Sequence, residues 1–149
     1  MTVDVRYNTR GKYNMFGDLI TQQWARDALP IIVERAQVPD VIRYGELRSA
    51  IGATTDRKWG TVCNIISTTL YQLEHNELQH QWRKGSIPRL ANIVIRTNGK
   101  PGAWMCEQIT GDRNIAPSPS VYRATYINPV FDYQNWDEVL EILTSDRIN

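Results

Sequence analysis

Val41-Ile42-Arg43-Tyr44-Gly45-Glu46-Leu47-Arg48-Ser49-Ala50-Ile51-Gly52, followed within a few residues by Arg57-Lys58-Trp59-Gly60, is the stretch on which the reading of this chain turns. A β-branched start leads through Tyr44-Gly45 into a short helix whose apolar residues Leu47, Ala50 and Ile51 fall on one face. Gly52 stands where a left-handed C-cap is expected. A second helix follows closely. Two helices joined by a tight glycine-containing turn form the helix-turn-helix unit that sets a helix end against a nucleic-acid groove.

Outward from that unit, residues 56–78 carry the strongest helical pattern. Trp59, Val62, Ile65, Ile66, Leu70 and Leu73 recur at three- and four-residue steps, with Arg57, Lys58, Asn64, Thr68, Gln72 and Glu74 largely opposite. The tail, residues 74–82, turns polar and reads as a loop. Upstream, residues 1–17 lack a helical period. Asp18 is a credible N-cap for a helix over residues 18–37, with Ile20, Trp24, Ala28, Ile31 and Ile32 near one face. Pro30 is expected to kink or divide that helix, because it lacks a backbone donor and clashes one turn back.

Downstream, residues 87–96 are β-rich and run into Thr97-Asn98-Gly99-Lys100-Pro101-Gly102, a dense turn signal that suits a strand pair or wing. The stretch after Cys106 is loop-like through Pro117-Ser118-Pro119-Ser120. A strand is expected over residues 121–127 and an acidic helix over residues 135–143. The expected fold is therefore α+β: one domain with a winged helix-turn-helix core over residues 39–104, the N-terminal helix before it, and residues 105–149 as loop, strand and acidic helix.

Composition bounds the function. At 149 residues, with 42% hydrophobic and 22% charged content, the chain can bury a core without metal or disulfide support. No apolar run approaches the ~20 residues of a membrane span, and the first residues lack a secretory h-region, so a cytoplasmic protein with no membrane partner is expected. Cys63 and Cys106 are the only cysteines and form no CxxC, which points to reduced thiols. Net charge is +1, but residues 53–100 carry seven basic and three acidic side chains, and residues 101–149 three and seven. That asymmetry suits one face meeting phosphates. No cofactor is expected, since Gly99-Lys100 lacks the rest of a phosphate loop. No metal is expected either, since His75 and His80 would point ~140° apart on a helix.

The order Tyr44-Gly45-Glu46-Leu47, Gly52, Arg57-x-x-Gly60, Ile87-Pro88, a β-run and Asn98-Gly99-Lys100-Pro101-Gly102 resembles the C-terminal DNA-binding domain of alkylguanine-DNA alkyltransferases and alkyltransferase-like proteins. The resemblance implies a winged helix that binds the minor groove and rotates a base into a pocket. It implies that Tyr44 crowds a phosphate and that Arg57 fills the gap in the base stack. The chain departs from the family at the reactive Pro-Cys-His-Arg motif: Pro88 is followed by Arg89-Leu90-Ala91-Asn92. Alkyl transfer is not expected without that thiolate.

The reading that results is non-catalytic binding of double-stranded DNA through Tyr44, Arg57, Lys58, Thr61, Arg89, Arg96 and Lys100, with the basic and aromatic segment over residues 6–13 as a further arm or an ordinary surface. Two rivals stand beside it. One is a protein-interaction module, an inhibitor, immunity or host-defence factor, for which five tryptophans would supply anchors. The other is a nuclease or glycosylase using His75 or His80 with Arg83 and Lys84. Trp59 reads as core, and Trp82 as core or a stacking surface.

Overall fold

In the computed structural model, residues 13–54 and 58–145 are described; Arg57, the start of the second helix at Asp56 and most of the basic arm over residues 6–13 lie outside them. Helix α1 (Ile20–Gln37) is one continuous element. Leu19 takes the cap position expected of Asp18, because the Gln22 side chain reaches back to accept the Leu19 N–H at 3.0 Å. Pro30 does not divide α1. It lies on the exposed face, where water can meet the carbonyl freed one turn earlier.

Strand β1 (Ile42–Arg43) leads directly into α2 (Tyr44–Ile51), and the Glu46 carboxylate accepts the Arg43 N–H at 3.1 Å to close the start of the helix. Gly52 ends α2 at φ 69°, the left-handed conformation a side chain would disfavour. Helix α3 (Trp59–Glu74) stops short of residue 78. Asn76 turns the chain at φ 58° and its side chain accepts the Trp82 N–H at 2.6 Å, which folds Leu78 and Trp82 inward.

The β-rich run over residues 87–96 is not one strand. Leu90–Ile93 forms a 3₁₀ turn, and only β2 (Val94–Ile95) is extended. It pairs with β1 in parallel, Ile42 opposite Val94 and Arg43 opposite Ile95. The expected antiparallel partner is reduced to a single bridge between Ile95 and Pro101, closed by Arg96 N–H to the Lys100 carbonyl at 2.8 Å. Residues 90–95 are buried throughout, and a continuous apolar run of that kind fits a tight helical turn as well as a strand.

Residues 105–149 also depart from expectation. Helix α4 (Ala103–Thr110) replaces the start of the predicted loop, and the predicted strand over residues 121–127 is helical. It runs through α5 (Pro119–Tyr122), a π-helical turn (Arg123–Ile127) and α6 (Asn128–Asp132). Pro119 in the first turn suits a helix start, and Tyr122 stacks on Tyr126 one turn later at 5.4 Å. Helix α7 (Trp136–Leu143) begins one residue inside the expected span, with Asp137 and Glu138 at the positive end of its dipole.

Among the described residues the fold is thus mostly helical with a small two-stranded sheet, an α+β architecture. One hydrophobic core joins α1, α3, α7 and the 3₁₀ turn, with Trp24 stacked on Trp59 at 6.1 Å. A buried polar clamp docks the segment before α1. Asn14 donates to Gln72 at 2.7 Å, the Asn14 carbonyl accepts from Gln22 at 2.8 Å, and Thr69 accepts the Met15 N–H at 3.0 Å. Among the described residues, no helix is long and apolar enough to cross a membrane.

Candidate nucleic-acid interface

The parallel β1–β2 pairing sets the start of α2 beside the residue 97–100 turn, and the first turns of α3 beside α4. Two adjoining hollows result. The deeper, about 460 Å³, is walled by Tyr44 of α2, by Trp59, Thr61, Cys63 and Asn64 of α3, by Arg89, Asn92 and Arg96, and by Trp104, Arg113 and Tyr122. The more open one, about 670 Å³, is lined by Tyr44, Gly45, Arg48, Arg96, Thr97 and Asn98. Tyr44 and Arg96 belong to both.

Among the described residues, four arginines, Arg48, Arg89, Arg96 and Arg113, and no carboxylate line this double concavity. Arg96 is held in place: its Nε donates to the Pro101 carbonyl at 2.7 Å and an Nη lies 3.6 Å from Cys106 Sγ. Arg89 is held differently. Its guanidinium lies 4.5 Å over the Trp104 ring and makes no hydrogen bond or ion pair to another described residue. Burial pushes its pKa down, the direction expected of a cation removed from water without a counter-charge.

The remaining wall is neutral. Burial raises the pKa of Tyr44 and Tyr122, and pushes the Cys63 thiol up to about 11, so all three are protonated at neutral pH. The Tyr44 hydroxyl lies beside the Cys63 thiol, and Tyr122 donates to the Asn92 carbonyl at 2.8 Å. Among the described residues that line the deeper hollow, two leave a buried polar atom without a partner: Trp59 its Nε1, a donor, and Asn92 its Oδ1, an acceptor. The Asn92 amide nitrogen is already committed to the Tyr126 carbonyl at 3.1 Å.

Of the residues expected from the sequence, Tyr44, Thr61, Arg89 and Arg96 meet in the deeper hollow. Lys58, the N-cap of α3, and Lys100, in the turn after Arg96, are exposed and line neither hollow. Arg57 lies outside the described residues. The resemblance implied that Tyr44 crowds a phosphate; here Tyr44 lines both hollows, with Cys63 beside its hydroxyl. His75 and His80 line neither hollow. His75 ends α3, roughly 20 Å along the helix from Thr61. It is stacked on Tyr71 at 4.0 Å, with Nδ1 2.9 Å from the Tyr71 carbonyl.

Arg48, Trp104, Arg113 and Tyr122 were not anticipated. Arg48 follows Tyr44 by four residues on α2 and so shares its face, a signal that spacing carried. Trp104 stands at the end of the span expected as winged-helix core, and Arg113 and Tyr122 come from segments read as loop and strand. Among the described residues, no group of His, Cys, Asp and Glu could hold a metal ion. Comparison with protein-family models, with curated proteins and with solved structures gives no match to this chain.

Proposed function

We propose that this protein binds double-stranded DNA through the paired hollows and does no chemistry on it. One observation carries the reading: among the described residues, four arginines and no carboxylate line the two adjoining hollows. Such a surface favours a polyanion, and phosphates supply most of the affinity of a DNA interface. The winged-helix reading lends support, since α2, the start of α3 and the turn after β2 border the same concavity. Lys58 and Lys100, exposed beside it, would extend the contact to flanking phosphates.

Fluorescence anisotropy with a labelled duplex over a salt series tests this reading. Affinity should fall as salt rises, Arg89→Gln and Arg113→Gln should weaken it, and His75→Ala should leave it unchanged. Affinity indifferent to salt and to both arginines would overturn the proposal. An acidic protein partner is the second reading, favoured by Trp104, which is 43% exposed beside Arg89 at the mouth of the hollow. A partner whose capture is not competed by duplex DNA would favour it.

A further inference from the structure

We propose that the deeper hollow is a site for one nucleoside monophosphate unit, held by its terminal phosphate dianion and supplied as the phosphorylated end of a DNA strand or as a free nucleotide. This deepens the DNA reading, on which the strand-end source rests. Three features of the hollow argue for it.

The first is charge. Among the described residues, Arg89, Arg96 and Arg113 line the hollow without a carboxylate, and the Arg89 guanidinium lies over the Trp104 ring with neutral Cys63, Tyr44 and Tyr122 around it. A half-buried cation without a counter-charge is unfavourable, and an anion that reaches it offsets that cost. A phosphate within a strand carries a single charge, whereas a terminal phosphate monoester carries close to two. Three cations in one hollow match the monoester better.

The second is hydrogen bonding. Trp59 and Asn92 are 3% and 7% exposed, and each leaves a polar atom unpaired in residues that line the hollow. One is a donor and the other an acceptor. Buried polar atoms are normally satisfied, so this pair suits a ligand that offers both an acceptor and a donor, as a base edge or sugar hydroxyl does.

The third is shape. The Arg89–Trp104 pair gives a flat surface at the mouth on which a base can stack. A volume of about 460 Å³ is within the range of small-ligand sites and suits one nucleotide.

Tryptophan fluorescence, titrated with the 5′- and 3′-monophosphates of the four deoxynucleosides, with the nucleosides and with inorganic phosphate, tests the proposal. At least one monophosphate should bind saturably, roughly tenfold or more tighter than its nucleoside. Arg89→Gln should abolish that preference. Asn92→Asp, which keeps side-chain shape and adds a carboxylate, should abolish it too, and thermal melting of both variants checks that they fold. A duplex closed by hairpin caps, compared with the same duplex bearing phosphorylated ends, separates the sources. Tighter binding of the open, phosphorylated duplex assigns the strand end, and equal binding assigns the free nucleotide. If every monophosphate binds no better than its nucleoside, the proposal falls, while binding of the capped duplex would leave the DNA reading standing. Nucleotide binding without binding of either duplex, capped or open, sinks the DNA reading instead.

Discussion

Gly102 is a position where one methyl group would report on the wall of the hollow. A Cβ there would sit 2.8 Å from the Tyr44 hydroxyl oxygen and 3.8 Å from its ring carbon. The backbone, at φ −60°, accepts alanine without strain, so the effect is purely steric. Tyr44 has little freedom to retreat, because its hydroxyl lies beside buried Cys63. Gly102→Ala should destabilise by about 1 kcal/mol, overpacking outweighing the smaller entropic gain in the unfolded chain. Tyr44→Phe in the same chain should recover part of the loss, and urea denaturation of the four proteins closes the cycle. Glu46 makes a second residue-scale prediction. The Arg35 guanidinium, 3.0 Å away, and the Arg43 N–H hold its carboxyl below the ordinary value of 4.5. A depressed carboxyl contributes stability that is present above the ordinary value and is lost as pH falls through the depressed one. Between about pH 5 and about pH 3 the wild type should lose more stability than Glu46→Gln, by less than about 1 kcal/mol because the pair is exposed. Equal losses in parallel urea titrations would contradict the assignment.

At the scale of elements, Pro30 offers a gain. It stands inside α1 on the exposed face and leaves the Arg26 carbonyl without its helical donor. Pro30→Ala restores that donor and removes the ring clash, so stability should rise by about 1 to 3 kcal/mol. A higher urea midpoint at unchanged slope is the signature, and a lower one would mean that the ring supports α1. The same element shows why parts of the fold were legible: α1, α2, α3 and α7 each bury one stripe and expose the other, so the 3.6-residue period survives in the sequence. Residues 119–132 lack that stripe. Val121, Tyr122, Tyr126 and Ile127 are residue types that favour strands, and packing of Tyr122, Ile127 and Val130 against the core overrides the preference. Residues 90–95 are buried on every side, which erases periodicity altogether.

Over the whole molecule, the interface was half legible for a related reason. Tyr44, Thr61, Arg89 and Arg96 could be found because they fall within or beside the helix-turn-helix pattern, whereas Trp104, Arg113 and Tyr122 reach the hollow only through tertiary packing of segments without a readable period. Charge is partitioned across the same scale. On the side of α7, Lys84 pairs with Glu138 at 2.8 Å and Gln37 bonds Asp137 at 2.7 Å, while the charged side chains among the described residues that line the double concavity are all arginines. A net charge of +1 therefore understates the local field that a duplex would meet. Each phosphate neutralised by one of these cations should contribute about −0.9 to the slope of log affinity against log salt. Removing Arg113, Lys58 or Lys100 singly should flatten that slope by about one per residue without altering sequence preference, as expected of backbone contacts. Lys84→Gln, on the side of α7, should leave the slope alone. If Lys84→Gln flattens the slope as much as Arg113→Gln does, binding follows overall charge and the concavity has no special part in it.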